Sequence, residues 1–281
     1  MVIGLVGLGL IGGSLAKSIK AKCSHTVLGY DIDSDTLQSA KTDNAIDDIL
    51  TSNKINKCDI LIIALTANKT IEYIKENVKQ IASDTIVTDV CGIKSYICEN
   101  IQPIAKQHSF TFIGGHPMAG IERAGYYSSF DGLFNKASMI LTPDPDTDIK
   151  AINLLSVLYR EIGFSTIKIT TAKYHDKMIA YTSQLAHIVS SAYIKSPESK
   201  NHKGFSAGSF KDMTRVATLN EQMWAELFLL NQQNLSNELN CLITHLNEFK
   251  NALEAKSKIE LVSLLKDGRI CKEISESGAE A

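Results

Sequence analysis

Residues 2–16 of the chain read VIGLVGLGLIGGSLA and give the strongest prediction of its fold. A short apolar run passes directly into three glycines in the pattern G-x-G-x-x-G, and a helix-like segment follows without a break. The first glycine of such a turn bends the chain tightly, the second lets the backbone approach a pyrophosphate, and the third lets the helix pack closely on the strand. The helix N-terminus then offers its free N–H groups to the phosphates. The stretch therefore predicts a dinucleotide site formed by Gly7, Leu8, Gly9, Leu10, Ile11 and Gly12.

An acidic residue at the end of the second strand supports this interpretation and selects the cofactor. The segment Thr26–Asp31 has the pattern of a strand, and Asp31 ends it at about the distance past the glycines where an acid bonds the ribose hydroxyls. Because a carboxylate in that place repels a 2′-phosphate, we predict NAD rather than NADP. The alternative, a glycine turn with an incidental acid, is disfavoured by the combined context.

Strand-like and helix-like segments alternate over the first 169 residues. The predicted strands are 2–6, 26–31, 59–65, 85–90, 110–114, 138–141 and 165–169, with helices after the first strand and at 34–43, 69–81 and 148–162. The continuous apolar run DILIIAL at 59–65 is typical of a strand buried on both faces. The alternation predicts the α/β class, with a Rossmann-type, doubly wound parallel sheet.

The pattern becomes almost entirely helical near residue 170. Thr171 is suited to cap a long helix that runs to about Lys195, residues 196–209 have the composition of a loop, and residues 211–265 are helical again. We therefore predict two domains. A dinucleotide-binding Rossmann domain covers residues 1–169, and an all-helical domain that completes the active site covers residues 170–281.

Composition and charge exclude several classes of protein. The 281 residues carry a formal net charge of −2 without a strongly basic block, so neither a nucleic-acid nor an anionic-membrane partner is indicated. No run of about 20 apolar residues is present, so we predict no transmembrane helix. The six cysteines lie far apart, without a C-x-x-C pair or a zinc spacing to histidine. We therefore expect reduced thiols, no metal site and a cytoplasmic location.

Three further segments carry side chains suited to chemistry on a hydroxyl and a carboxylate. His116, in GGHPMAG at 114–120, follows a strand, and an imidazole can accept a proton near neutral pH. Ser183 and His187 are four residues apart and share one helix face. Arg215, in GSFKDMTR at 208–215, can bind a carboxylate with two hydrogen bonds. Taken singly, each has a structural alternative: a loop histidine that caps a backbone group, a satisfied core histidine, or a surface salt bridge.

Together and in order, these motifs resemble the prephenate dehydrogenase family of tyrosine biosynthesis, which includes the arogenate dehydrogenases. The resemblance covers nearly the whole chain: GLGLIG at 7–12, TDVCGIK at 88–94, GGHPMAG at 114–120 with Glu122 just after, SQLAH at 183–187, GSFKDMTR at 208–215 and MW at 223–224. HPMAG and F-K-D-x-T-R in one chain are far more specific than a dinucleotide fingerprint.

The resemblance implies an activity and a set of roles. The reaction would be the NAD-dependent oxidative decarboxylation of prephenate to 4-hydroxyphenylpyruvate, with arogenate as the alternative substrate. His116 would accept the hydrogen bond of the ring C4 hydroxyl during hydride transfer, and Arg215 would bind a substrate carboxylate. Ser183 and His187 would line the same pocket, and Glu122 would lie at its edge. A homodimer through the helical domain is also implied.

The chain departs from the family pattern in two places. The family usually has T-D-V-G-S-V-K, whose serine supports the catalytic histidine, whereas Cys91 and Gly92 stand here in place of Gly-Ser. The family's S-H-L-P-H appears as SQLAH, so Gln184 replaces a histidine, and no role is carried over to it. Lys94 is a candidate contact of the cofactor or the substrate.

Two alternatives from other classes remain. A non-catalytic NAD sensor on this scaffold would keep Asp31, but it has no need of a proton acceptor beside a carboxylate-binding arginine. Another two-domain dehydrogenase of small hydroxy acids would share the N-terminal half, but not the pairing of HPMAG with FKDMTR.

Overall fold

The computed structural model of the chain describes residues 1–121 and 123–277. The chain divides into two compact units, residues 1–231 and residues 232–281. The strands are β1 (Val2–Val6), β2 (Thr26–Tyr30), β3 (Asp48–Ile49), β4 (Ile60–Ile63), β5 (Ile86–Asp89), β6 (Thr111–Pro117), β7 (Ser138–Pro143) and β8 (Thr166–Ile169). The helices are α1 (Leu10–Lys22), α2 (Ser34–Thr42), α3 (Ala67–Asn77), α4 (Ser95–His108), α5 (Ile149–Glu161), α6 (Ala172–Ile179), α7 (Leu185–Tyr193), α8 (Gly208–Thr214), α9 (Glu221–Leu230), α10 (Gln232–Glu254) and α11 (Lys258–Ser277).

All eight strands form one sheet in the order β3-β2-β1-β4-β5-β6-β7-β8. Every neighbouring pair is parallel except β6 and β7, which are antiparallel. The strand order reverses at β1, whose neighbours are β2 and β4. The loop after β1 therefore opens at the switch point where doubly wound sheets bind their ligands. The predicted α/β class and Rossmann-type sheet are confirmed.

Strand β7 departs from the parallel arrangement that the alternation predicted. Between β6 and β7, the described residues contain one short 3-10 helix, Tyr126–Ser128. A parallel crossover usually contains a full helix, so this connection returns the chain antiparallel to β6. The sequence prediction also missed β3, which has only two residues, and α4, whose helical pattern is interrupted by Pro103.

Both faces of the sheet are covered. All four residues of β4 are fully buried, as the apolar run predicted. Ile60 and Ile62 join the apolar core that contains side chains of α1 and α5, whereas Leu61 and Ile63 join the core that contains side chains of α3 and α4. Because successive side chains of a strand point to opposite faces, this alternation places one helical layer on each side of the sheet.

The helical part of the first unit begins where the sequence predicted. The Thr171 side chain accepts the N–H of Tyr174 at 3.2 Å and so caps α6. A π-turn over Ala180–Gln184 joins α6 to α7 without a break, and α7 ends at Tyr193. Such π-turns are frequent at functional sites, and this one contains one of the predicted site residues, Ser183.

The second unit is described to residue 277 and consists of α10 and α11, which pack on each other. Several of its large apolar side chains are exposed: Ile243, Leu246, Leu253, Ile259, Val262, Leu265, Ile270 and Ile274. Among the helices described for this chain, none is long and apolar enough to cross a membrane.

Candidate active site

The glycine-rich loop after β1 has the backbone that its sequence predicted. Gly7 has a φ of +87°, in the left-handed region, and a Cβ there would lie 2.5 Å from the carbonyl oxygen of Ala64. A Cβ at Gly12 would lie 1.8 Å from the Gly7 carbonyl oxygen, so only glycine lets α1 pack this closely on the turn. Gly9, in contrast, has open space where a Cβ would be. A pyrophosphate approaches the backbone at this position in folds of this type.

Asp31 is fixed beside the loop. Its carboxylate accepts the N–H of Leu8 at 2.7 Å and the N–H of Asp33 at 3.0 Å, and the side chain remains partly exposed. Gly9 precedes α1 without a side-chain cap, so the N–H groups of the first helical turn, which begins with Leu10 and Ile11, remain available to an anion. The predicted cofactor residues therefore lie together at the switch point.

His116 lies within β6, one residue before its end, rather than in a loop after the strand. The strand is longer than predicted because β6 pairs with β7, with His116 opposite Ile140. The His116 side chain is partly exposed. Its Nδ1 is 2.8 Å from Nε2 of His175, and Nδ1 of His175 is 2.7 Å from Oδ1 of Asp176. The three side chains form a continuous chain of hydrogen bonds that starts in the core and ends at the surface-facing histidine.

The charges within this chain are set by burial and by neighbouring groups. Burial holds the pKa of His116 well below its ordinary value, and the nearby His175 and Lys94 lower it further. Burial also lowers the pKa of His175, although the hydrogen bond to Asp176 opposes this. Burial alone would raise the pKa of Asp176, but the hydrogen bonds it accepts from His175 and from two backbone N–H groups outweigh that effect and lower it. At neutral pH this series of hydrogen-bonded side chains therefore consists of two neutral imidazoles and one carboxylate.

A fully buried ion pair holds the backbone next to His116. The Lys94 amino group donates to the Asp89 carboxylate and, at 2.5 Å, to the Gly115 carbonyl oxygen. The same carboxylate accepts the N–H of Cys91 at 2.9 Å and of Gly115 at 3.1 Å. Lys94 has no exposed surface, and its amino group bonds only groups inside the protein among those described. This burial disagrees with a direct contact between Lys94 and the cofactor or the substrate.

Asp176 joins α6 to two other elements. Its carboxylate accepts the N–H of Lys94 and the N–H of Ser95, each at 2.8 Å, at the start of α4. Its backbone carbonyl accepts the amide of Asn231 at 2.8 Å, and Asn231 also donates to Gln184 at 2.7 Å. Gln184 in turn donates to a carbonyl of α9 at 3.2 Å. Gln184, which replaces the family's histidine, is thus buried and links its own helix to α9 by hydrogen bonds.

Sequence reasoning missed His175, Asp176 and Asn231. The available signal was an adjacent His-Asp pair in the first turns of a helix whose cap, Thr171, was recognised. A pair of titratable residues on the buried face of a helix points to a specific partner. That partner, His116, is 59 residues away in the sequence.

Gly92 leaves a gap on the other side of His116. A Cβ built at Gly92 would lie 3.8 Å from Nε2 of His116 and 3.6 Å from the Leu227 side chain. The position where the family pattern has a serine therefore faces Nε2, the nitrogen that His175 does not occupy.

Ser183, His187 and Arg215 lie in one cluster with Trp224. The Ser183 carbonyl oxygen accepts from Nδ1 of His187 at 2.9 Å, and the His187 ring stacks on Trp224 with centroids 3.7 Å apart. Burial lowers the pKa of His187, the bond to Ser183 opposes this, and the Arg215 charge lowers it further. Arg215 is exposed and begins the short turn after α8.

Helix α9 connects this cluster to His116. Trp224 stacks on His187, and Leu227, which lies on the same face of α9 because it is three residues later, borders the gap at Gly92. Four of the five predicted catalytic residues are thereby brought to one region of the first unit. The fifth, Glu122, lies outside the described residues.

One group of the described residues has the donor atoms of a metal site. Cys23, His25 and Glu161 each place one ligand atom within 4.8 Å of the others. Cys23 donates to Glu161 at 3.8 Å, and Nε2 of His25 is 3.9 Å from the same carboxylate. A closed zinc site has four ligands, and the described part of the chain offers three here.

A doubly wound sheet with an open glycine turn at its switch point, together with a histidine that can accept a proton, is typical of the nucleotide-dependent dehydrogenases. Comparison with protein families narrows the class. Residues 15–168 match the model of the prephenate dehydrogenase nucleotide-binding domain, and residues 171–267 match that of the prephenate dehydrogenase dimerization domain. The chain belongs to the prephenate dehydrogenase family, and it is an oxidoreductase.

Known relatives of this chain carry three different names. The cyclohexadienyl dehydrogenase of Zymomonas mobilis is 29% identical over 95% of this chain and 93% of its own length. The prephenate dehydrogenase of A. aeolicus, solved with hydroxyphenyl propionate and NAD+, is 28% identical, with a TM-score of 0.86 over 97% of both chains. The Synechocystis arogenate dehydrogenase is 27% identical, with a TM-score of 0.82 over 97% of this chain and 99% of its own. The family is therefore defined, and the preferred substrate within it is a separate question.

Proposed function

We propose that this chain is an NAD-dependent prephenate dehydrogenase of tyrosine biosynthesis, which converts prephenate to 4-hydroxyphenylpyruvate, CO2 and NADH. The observation that carries the proposal is the geometry of His116, whose Nδ1 is held by His175 while Nε2 faces the gap at Gly92. The A. aeolicus relative supports it, because hydroxyphenyl propionate has the phenol ring and three-carbon acid side chain of the proposed product.

The residues of the site match the groups of the substrate. Prephenate carries one ring hydroxyl and two carboxylates, so the site needs a proton acceptor and a cation. His116 accepts the hydrogen of the C4 hydroxyl through Nε2. Arg215 binds a carboxylate, and Ser183 and His187 line the pocket. Loss of CO2 makes the ring aromatic and drives the reaction, so the protein has only to position the reacting groups.

The cofactor site fits NAD. Bound NAD would supply the acceptor for the hydride of the ring carbon C4. The open backbone at Gly9 admits the pyrophosphate, and residues 7–12 provide N–H groups toward it. The Asp31 carboxylate, oriented by the N–H groups of Leu8 and Asp33, bonds the ribose hydroxyls and repels a 2′-phosphate.

We also propose a homodimer that forms through the helical domain. The functional domains are residues 1–169, which bind the cofactor, and residues 170–281, which complete the substrate site and pair with a second copy. The exposed apolar side chains of α10 and α11 support this arrangement, because monomeric proteins rarely expose so many large apolar groups on one pair of helices. The cytoplasmic location stays a prediction from the cysteine pattern.

Arogenate is the second candidate substrate, favoured by the Synechocystis relative and by the cyclohexadienyl name of the Zymomonas relative. NADH formation should be followed by absorbance with purified protein, NAD and either compound in parallel. A kcat/KM at least about tenfold higher for prephenate would support the proposal, whereas turnover of arogenate alone would move the substrate to the second candidate. Failure to oxidise either compound would contradict both.

Replacing His116 with asparagine tests the proton acceptor. Because a positioned acceptor contributes about 10²–10⁴-fold, His116→Asn should lower kcat by that factor and leave the Kd for NAD nearly unchanged. Fluorescence titration with NAD provides the control for the cofactor site. Turnover close to that of the unaltered enzyme would refute the role of His116.

A further inference from the structure

We propose that His175 and Asp176 are the positioning residues that fix the tautomer of His116 in this chain, in the absence of the hydroxyl that the family pattern has at position 92. The proposal extends the proposed function, since it explains how His116 is held ready to accept the substrate proton. Its central measurement, the tautomer of His116, does not depend on any substrate.

The direction of each hydrogen bond follows from the donors and acceptors available. The pair of His175 Nδ1 and Asp176 Oδ1 is 2.7 Å apart, and a carboxylate only accepts, so Nδ1 of His175 carries the proton. A neutral imidazole protonated at Nδ1 has an acceptor at Nε2. That acceptor is 2.8 Å from Nδ1 of His116, which must therefore donate. His116 is left with Nε2 unprotonated, as a base that accepts from a substrate hydroxyl requires.

The carboxylate that begins this sequence of bonds is itself immobilised. Both Asp176 and His175 are 2% exposed. The N–H groups of Lys94 and Ser95 bond the Asp176 carboxylate, and Asn231 bonds its backbone carbonyl. These donors hold the buried Asp176 carboxylate in one orientation. Its hydrogen bond to His175 is therefore fixed in direction.

A hydroxyl at position 92 would act differently in this chain. A Cβ at Gly92 would be 3.8 Å from Nε2 of His116, so a serine there would meet the nitrogen that faces the substrate, not the one held by His175. A hydroxyl can both donate and accept, and by itself it selects neither tautomer. The arrangement of Asp176 and His175 selects one, and it does not use Nε2 of His116.

The surrounding charges agree with the proposed protonation. The groups that face the two histidines are Asp176 on α6, Asp89 at the end of β5, and Lys94 just before α4. Burial and the Lys94 charge both lower the pKa of each histidine, so neither is an imidazolium at neutral pH. Asp176 keeps a pKa below its ordinary value and remains the acceptor.

The test combines a spectroscopic and a kinetic measurement. In the folded protein with ¹⁵N-labelled histidine, long-range ¹H–¹⁵N spectra distinguish the Nδ1–H from the Nε2–H tautomer, and His116→Asn assigns the signal. We expect His116 to be the Nδ1–H tautomer, and to lose that preference in His175→Leu. The same variant should lower kcat by about tenfold or more, with the KM for the substrate and the Kd for NAD within about twofold. His175→Gln, which keeps a carbonyl acceptor, should recover part of kcat.

The outcomes separate this proposal from the proposed function. An Nε2–H tautomer of His116 in the unaltered protein would overturn it whatever the activity, and so would a His175→Leu protein that keeps both kcat and the Nδ1–H tautomer. Gly92→Ser should raise the KM, because its hydroxyl competes for Nε2, and a gain in kcat would show that the missing hydroxyl was the needed support. If neither prephenate nor arogenate is oxidised, the proposed function fails while the tautomer still decides the role of His175. Should His175→Leu not fold, the tautomer of the unaltered protein decides alone.

Discussion

Replacing Lys94 with methionine tests what holds the backbone of the site. The methionine keeps an apolar stem of similar length but removes the ammonium that meets the Asp89 carboxylate and the Gly115 carbonyl. Asp89 is fully buried and retains the N–H groups of Cys91 and Gly115. Breaking a buried pair by removing one partner costs about 3–5 kcal/mol, because the remaining charge is uncompensated. Since two hydrogen bonds to the carboxylate survive, we expect a loss near the lower end, about 3 kcal/mol.

Urea unfolding followed by circular dichroism measures this loss as a shift of the midpoint at an unchanged slope. Lys20→Met is the matched control, because Lys20 and Asp47 are a partly exposed pair at 2.7 Å and should lose less than about 1 kcal/mol. The double variant Asp89→Asn/Lys94→Met leaves no buried charge, so it should be less destabilised than the sum of its single changes. A Lys94→Met loss as small as that of Lys20→Met, or strict additivity in the double variant, would refute the reasoning.

Two further predictions concern cofactor choice and pH. Asp31→Ala removes the carboxylate that repels a 2′-phosphate. The ratio of kcat/KM for NADP to that for NAD should therefore rise by about tenfold or more, an effect of about one to two kcal/mol. An unchanged ratio would mean that another residue binds the ribose hydroxyls. Protonated His116 cannot accept a hydrogen bond at Nε2, and burial, His175 and Lys94 all lower its pKa, so the acid limb of kcat/KM should lie below pH 6.5. Rates measured from pH 5 to pH 8 that fall already above pH 6.5 would contradict this assignment.

The features that the sequence predicted correctly depend on local patterns. The glycine turn at residues 7–12 is specified by backbone geometry that only glycine supplies at Gly7 and Gly12. The apolar run at β4 and the cap at Thr171 likewise carry their signal within a few neighbouring residues. Rossmann topology follows because parallel strands joined by helices have few other arrangements.

The features that it did not predict depend on contacts between distant segments. A lysine is normally exposed, so the sequence predicts that Lys94 can contact a ligand. Its burial is explained only by its partners Asp89 on β5 and Gly115 on β6. The bond between His116 and His175 joins residues 59 apart, and no periodicity in the sequence records it. The site was therefore predicted as a set of residues, but not as a connected network.

The antiparallel strand explains how these two histidines meet. Gly115 on β6 is opposite Leu141 on β7, and Leu141 is opposite Ile169 on β8. Because β7 reverses direction, β8 also runs against β6 and ends level with Gly115, one residue from His116. The chain then needs only Thr170 and Thr171 before α6 begins, and His175 falls in the first turns of that helix. The antiparallel direction of β7 thus places His175, and with it Asp176, beside His116.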